Sequence, residues 1–288
     1  MSIMEELHKT SIRVSDIASQ YWCERQMEFN YKYGKKITAA IKAGTSLHEE
    51  LEGEVNVPII LQPTGYADFL YKSLYTSYMA LCALKKNKKT REVQLYGSIS
   101  GYKVVGKIDQ LDIKDGKVLI LEDKTRANNK IPSSSQITTH RVQIMVYKKL
   151  VDDIVSGEYT AANFTNAYRT TAMKITPEFV RQLDAIGVEK PIQNINSIAG
   201  RFFQEFKSIG TVSDVLCIKY IEQFSGKEID LHKFDYDPKE MQDIIKYIMK
   251  YWSGERESMP VPEQEKWKCS YCAFYGKECK AWWPQSVL

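Results

Sequence analysis

Asp109, Glu122 and Lys124 stand in the pattern D-x12-E-x-K. Glu122 and Lys124 close the run LILEDKT (119–125), in which an apolar strand body ends in three consecutive charges. Charges at the end of a buried strand are costly unless something pairs with them. Two carboxylates, joined by the backbone carbonyl of Asp123, are hard oxygen ligands of the kind that Mg²⁺ or Mn²⁺ prefers. Such an ion polarises a phosphate and makes a bound water acidic. A nearby amine, Lys124, can orient the attacking water or stabilise charge on the phosphate. The set therefore suits phosphodiester hydrolysis. The plain alternative is an exposed strand end with a surface salt bridge, because this spacing arises by chance in many hairpins.

The surrounding sequence supplies elements able to bring these residues together. REVQLYGSISGYKVVGKIDQLDIKDGKVLILEDKT has strand character with turns at SISG and KDGK, which predicts a three-stranded antiparallel meander over 92–99, 102–113 and 117–125. Asp109 and Glu122 then lie on adjacent arms. Glu122 and Lys124, two residues apart, share a face, and Asp123 points the other way. Upstream, helical spacing runs from Ser15 through Phe29, from about Thr38 to Glu54, and over GYADFLYKSLYTSYMALCALKK. Downstream, SSSQITTHRVQIMVYKKLVDDIV reads as a helix. Helical or mixed structure follows from ITPEFVRQLDAIGV to PIQNINSIAGRFFQEFKSIG. A second hairpin turns at Ser225-Gly226, and a helix covers Pro238 to Trp252.

His48 falls on the second helix, on a polar face, and its imidazole could complete a metal site; a lone histidine is also a common structural residue. Gln143 and Tyr147, four residues apart, share one face of the helix that follows the LILEDKT strand. That helix could pack beside the site, or the pair could be an ordinary hydrogen-bonded surface.

Of the six cysteines, Cys82 and Cys217 are isolated and read as core. Cys269, Cys272 and Cys279 form a C-x2-C-x6-C cluster, for which Cys23 in QYWCERQ is the obvious fourth thiolate. Zinc accepts four thiolates, and so does a [4Fe–4S] cluster. A ligand set that spans the chain staples it, removing loop-closure entropy worth roughly 5 kcal/mol on a logarithmic model.

The chain of 288 residues, 43% hydrophobic and 26% charged, has an ordinary globular composition and room for a full core. No apolar run approaches the roughly 20 residues of a membrane span. The N-terminal MSIMEELHKT lacks the features of a signal or transit peptide, so an intracellular protein with no membrane partner is expected. Net charge is +4. Basic clusters at 32–36, 85–91, 124–130 and 147–149, interleaved with tyrosines and tryptophans, suit single-stranded nucleic acid, although each cluster could equally be a solvated surface.

With these residues in place, the chain resembles the exonuclease V family, in the iron–sulfur, RecB-like branch of the PD-(D/E)xK nucleases. The resemblance is carried by QYWCERQ, GTSLHEELE, REVQLYG with VVGKIDQLD, LEDKTR with a following proline, VQIMVYKKL and the cysteine tail, in family order over residues 11–283. It implies an α/β fold with a restriction-endonuclease-like core, a mixed sheet flanked by helices, whose chain ends are joined by an iron–sulfur cluster. The implied organisation is one nuclease domain over 1–288. A helical region (11–90) would carry Cys23 and His48, and the catalytic core would occupy 91–155. Helices and a hairpin (156–255) and a cluster-binding tail (256–288) would follow. By resemblance, Asp109, Glu122, the Asp123 carbonyl and His48 hold the metal, and Lys124 is the catalytic lysine. Gln143 and Tyr147 orient it or touch DNA, and Cys23, Cys269, Cys272 and Cys279 bind a [4Fe–4S] cluster. The implied activity is metal-dependent degradation of single-stranded DNA from free ends into short oligonucleotides, in repair or replication. The protein would act as a monomer, with a single-strand-binding protein as accessory. Arg126, Arg141 and Lys148 are candidates to line the DNA path. The tail has six residues where relatives often have five. Two alternatives share these motifs: a CRISPR-adaptation nuclease of the same branch, and a non-catalytic DNA-binding subunit, against which the intact D…E-x-K set argues.

Overall fold

The computed structural model describes residues 2–56 and 58–282, so the last six positions of the tail assigned to 256–288 lie outside the described residues. A short helix α1 (Ile3–Glu6) and a two-residue strand β1 (Ile12–Arg13) lead into α2 (Val14–Lys32), α3 (Ala39–Gly53) and α4 (Tyr66–Asn87). The meander follows as β2 (Lys89–Ile99), β3 (Tyr102–Lys114) and β4 (Lys117–Arg126). Next come α5 (Ser134–Ser156), α6 (Ala161–Tyr168), α7 (Pro177–Ala185) and α8 (Ile195–Lys207). A hairpin, β5 (Val215–Glu222) and β6 (Glu228–Asp235), precedes α9 (Pro238–Trp252) and a 3-10 helix (Glu263–Tyr271).

The turns set the register of the meander. Ser100-Gly101 and Asp115-Gly116 all have positive φ, which is the geometry that matches two-residue hairpin loops to strand twist. They pair Ile99 with Tyr102 and Lys114 with Lys117. The expected meander is therefore present, with β2 starting at Lys89 rather than 92.

The sheet is mixed, in the order β1-β3-β4-β5-β6, with β2 on β3. β4 and β5 are parallel, so the chain must cross over between them, and α5 to α8 form that crossover. Where β4 leaves the edge of β3, β1 takes it up in parallel at Val104 and Val105. The stretch read as helical or mixed resolves into α7 and α8, capped by Thr176 and Asn194. α5 begins with a capping box from Ser133 and Gln136 and ends at Gly157.

Helices flank the sheet: α2 packs on α5, and α4 packs on α8 and β2. Many of the tyrosines that suggested base stacking belong to the core, among them Tyr71, Tyr96, Tyr220 and Tyr251. Trp252 is buried with its indole N–H donating to Gln20 Oε1 at 2.8 Å. None of the helices among the described residues is long and apolar enough to cross a membrane.

Candidate active site

The two hairpin registers can be extended by counting, and they set Glu92 opposite Asp109 and Asp109 opposite Glu122. One row of carboxylates thus crosses β2, β3 and β4. Regular pairing fails at this row. The β3–β4 ladder stops at Gln110–Leu121, and the next hydrogen bond runs from the Asp123 amide to Asp109 Oδ2, at 2.9 Å. On β2 the register holds on either side of Glu92, but Glu92 has φ +56°. A non-glycine residue inside a strand rarely adopts that left-handed conformation, and such strain clusters at functional sites.

α3 closes one side of the cleft. It approaches β4 where Gly44 faces Thr125: a Cβ on residue 44 would meet Thr125 Oγ1 at 2.8 Å, so the contact requires glycine. That approach puts His48 Nδ1 3.6 Å from Glu92 Oε1 and 3.9 Å from Asp109 Oδ1. His48, Glu92 and Asp109 each offer a ligand atom, and these atoms lie within 4.8 Å of one another. The cleft is lined by Ile41, Gly44, Thr45, His48 and the charged row with Lys124.

α5 supplies the opposite support. Lys124 Nζ donates to Glu122 Oε1 at 2.6 Å and to Gln143 Oε1 at 2.8 Å. Gln143 Nε2 donates to Glu122 Oε1 at 2.6 Å and to the Tyr147 hydroxyl at 3.2 Å. Gln143 thus holds both members of the Glu122–Lys124 pair, and Tyr147 backs Gln143. Among the described residues Glu122 Oε2 is buried without a hydrogen-bond partner. A carboxylate oxygen in that state is an unmet ligand atom, so the donor set fits a hard divalent cation.

The electrostatics have the same origin. Burial, then the Asp109 charge, pushes Glu122 up to about 8. Burial likewise raises Asp109. Burial alone would lower the Lys124 amine, but Glu122 and Asp109 outweigh it and hold the amine above the usual lysine value. His48 is raised by its contact with Glu92. Burial would raise Glu92, yet His48 and Lys107, the latter 2.5 Å away, bring it below the usual glutamate value. Crowded carboxyls that resist ionisation beside a protonated lysine mark a site short of positive charge.

Of the residues singled out from sequence, the structure brings His48, Asp109, Glu122, Asp123, Lys124, Gln143 and Tyr147 together. Asp123 turns its carboxylate to the far side of the sheet, as strand alternation requires. Arg126 sits just past Thr125 and reaches Gln136 at 3.4 Å. Two other candidates are not brought to the cleft. Arg141 lines a different cleft, paired with Glu240 at 3.3 Å and stacked over Phe234. Lys148 is only 4% exposed, Asp152 and Asp214 hold its ammonium, and it does not line the cleft. The basic stretch 147–149 is thus consumed internally, with Lys149 on Asp153. Sequence reasoning missed Glu92. The signal was available: counting back from the SISG turn places it directly across from Asp109.

The cysteines form a second locus. α2 breaks at Cys23, whose φ of −166° and ψ of 110° are extended. The second half of the helix therefore restarts there, and the Gln26 amide donates to Cys23 Sγ at 3.4 Å. Cys23, Cys269, Cys272 and Cys279 line one pocket with Trp22, Phe29 and Val261. All four are free thiols. Burial raises the thiols of Cys23 and Cys269. Four sulfurs around an apolar hollow, with an amide already donating to one, fit a thiolate-bound metal centre. Buried Glu24, next to Cys23, ties the tail to α2 by accepting from Arg256 and from the Met259 amide, the latter at 2.8 Å.

Comparison with known proteins gives a consistent picture. The family described as exonuclease V, a 5′ deoxyribonuclease, matches residues 4–116, 112–205 and 191–283. Exonuclease V of Danio rerio is 26% identical over 290 aligned residues, covering 95% of this chain and 71% of that protein. A mitochondrial exonuclease V of Candida albicans is 28% identical over 79 residues, 27% of this chain and 12% of that one. The crystal structure of SSO0001 aligns with 94% of this chain and 90% of that one at 14% identity, with a TM-score of 0.39, too loose a likeness to inform the fold.

Proposed function

The chain belongs to the exonuclease V family, and from that premise we propose that it is a metal-dependent exonuclease that hydrolyses single-stranded DNA from free ends, on a restriction-endonuclease-like core. The observation that carries this reading is the ligand set His48–Glu92–Asp109, beside Lys124 and a Glu122 whose Oε2 is buried and, among the described residues, unpartnered. In this reading Asp109, Glu122, the Asp123 carbonyl and His48 hold Mg²⁺ or Mn²⁺, and Glu92 joins them. The ion, when bound, supplies charge neutralisation at the phosphate and an acidified water. Lys124, protonated and aimed by Gln143, stabilises negative charge as it builds on the phosphate oxygens. Gln143 keeps the amine over the cleft, and Tyr147 fixes the Gln143 amide. α3 walls the cleft and limits access to a strand that can be threaded past it. The cysteine pocket holds a [4Fe–4S] cluster that joins α2 to the tail and has a structural role.

The test is end-labelled single-stranded and double-stranded DNA with Mg²⁺, using wild type, Asp109→Ala and Lys124→Ala. Wild type shortens the single strand from its end, and both variants remain folded without cutting. Unchanged cleavage in either variant rejects the site. Absorbance of anaerobically purified protein in the visible range separates iron–sulfur from colourless zinc.

A further inference from the structure

Each carboxylate of the row has a sequence neighbour whose side chain lies on the opposite face of the sheet. Those neighbours are Arg91, Gln110 and Asp123, and they are joined to one another. Arg91 Nη1 donates to Gln110 Oε1 at 2.6 Å, and Nη2 donates to Asp123 Oδ2 at 2.7 Å. The three are 1%, 3% and 1% exposed. Lys219 on β5 adds a contact to Asp123 Oδ1 at 3.2 Å. One guanidinium therefore sits beside Glu92 in sequence and grips the residue beside Asp109 and the residue beside Glu122.

We propose that Arg91 is the positioning residue of the acidic row. Its planar fork, behind the sheet, ties β4, through Asp123, to the paired β2–β3 ladder, through Gln110, where the front faces carry Glu92, Asp109 and Glu122, and so sets the geometry a divalent ion meets. The inference rests on the metal-holding reading above. Three features support it. Backbone pairing between β3 and β4 has already stopped at Gln110–Leu121, so at this level these two strands are joined through side chains, Asp109 on the Asp123 amide in front and Arg91 between Gln110 and Asp123 behind. Glu92 keeps a disfavoured φ, which persists only where the surroundings over-determine it, and Arg91 is the anchored residue next to it. Stability alone does not explain the guanidinium, because replacing a buried ion pair by well-packed apolar residues is often neutral or stabilising. A rigid fork that meets two acceptors at once does explain it, and lysine cannot reproduce that fork.

The experiment measures Mn²⁺ affinity of the full chain without DNA, by the electron paramagnetic resonance signal of free Mn²⁺, alongside the thermal midpoint. The proteins are wild type, Arg91→Lys, Arg91→Met, Asp109→Asn and Phe164→Leu. Phe164 is buried among Tyr96, Tyr168 and Phe203 and does not line the cleft, so it controls for lost stability. Arg91→Met weakens Mn²⁺ binding about 10-fold to 100-fold, the usual effect of losing an outer partner at a metal site. Arg91→Lys, which keeps the charge, also loses affinity, whereas Phe164→Leu lowers the midpoint and leaves affinity alone. Wild-type affinity in a folded Arg91→Met or Arg91→Lys overturns the proposal. If Arg91→Met does not fold, Arg91→Lys decides. Wild type that binds no Mn²⁺, or Asp109→Asn that binds it as tightly as wild type, overturns the metal reading itself, and the role of Arg91 falls with it.

Discussion

The acidic cleft takes Glu92, Asp109, Glu122 and Lys124 from one continuous meander, whereas the cysteine pocket takes Cys23 from α2 and its other thiols from the far end of the chain. The cleft is set by strand register and two tight turns, with α3 and α5 as walls. The pocket is set by a break in α2, a 3-10 helix and a few anchors such as Glu24. A site made from adjacent strands keeps its geometry when one ligand is removed, because the sheet remains. A site that closes across the whole chain loses its own scaffold when its ligand goes. Chemistry and stability are therefore expected to separate between the two regions.

The largest effect tests the cleft side of that contrast. Lys124→Ala and Asp109→Ala each lower cleavage by roughly 10²-fold to 10³-fold, by analogy with the loss of a charge-stabilising donor. Asp109→Ala also raises the thermal midpoint of metal-free protein, because Asp109 is one cause of the raised Glu122. A variant that loses activity by unfolding in a melting curve breaks the contrast. On the other side, Cys272→Ser costs stability on the order of 5 kcal/mol, the entropy of closing a chain-long loop. Its visible absorbance disappears and its solubility falls. A stable, colourless, fully active Cys272→Ser would mean that the pocket does not hold the ends together.

These opposite constructions also explain what was legible in sequence. The meander was readable because alternation and turn residues act over a few positions, and the same count places Glu92 on the row. The distortion at Glu92 and the clamp from Arg91 were not readable, since both depend on where the β3–β4 ladder stops. The four cysteines could be grouped by type and spacing, but the break in α2 that aims Cys23 into the pocket has no proline or glycine to announce it. Lys148 looked like a DNA contact because it sits in a basic run, yet its charge is consumed by Asp152 and by Asp214, far along the chain. Long-range pairing decides whether a basic residue is free, and a local pattern does not record it.

A smaller effect sharpens the contrast inside the cleft. Gln143→Leu removes the acceptor that aims Lys124 and a donor to Glu122. Turnover drops roughly 10-fold to 100-fold, the range for outer partners at metal sites. The loss falls on kcat more than on KM, because the amine acts on charge that develops during reaction. An equal fall in DNA binding with kcat unchanged would assign Gln143 to substrate contact and leave Lys124 aimed by Glu122 alone.

The smallest effect concerns α5, the element that touches both regions. Its Gln143 serves the cleft, and its Ser135 hydrogen-bonds Glu265 in the tail, whose other oxygen accepts from Lys268 at 2.7 Å. Between them lies His140, which burial, then Lys124 and Arg126, brings down to about 2. Its Nδ1 is 3.1 Å from the Tyr220 hydroxyl on β5. The folded protein keeps this imidazole neutral, while the unfolded chain protonates it near the ordinary 6.5. The folded-state advantage is therefore complete above pH 6.5 and is lost progressively as pH falls below it. At pH 5 the loss is roughly 2 kcal/mol, from 1.36 kcal/mol per pH unit. His140→Phe removes this sensitivity, so its thermal midpoint relative to wild type rises between pH 7 and pH 5. If α5 couples the two regions, the cleft and the pocket lose structure together as wild type is acidified. Manganese affinity and cluster absorbance then decline at one midpoint, and two separate midpoints would show that each region stands on its own support.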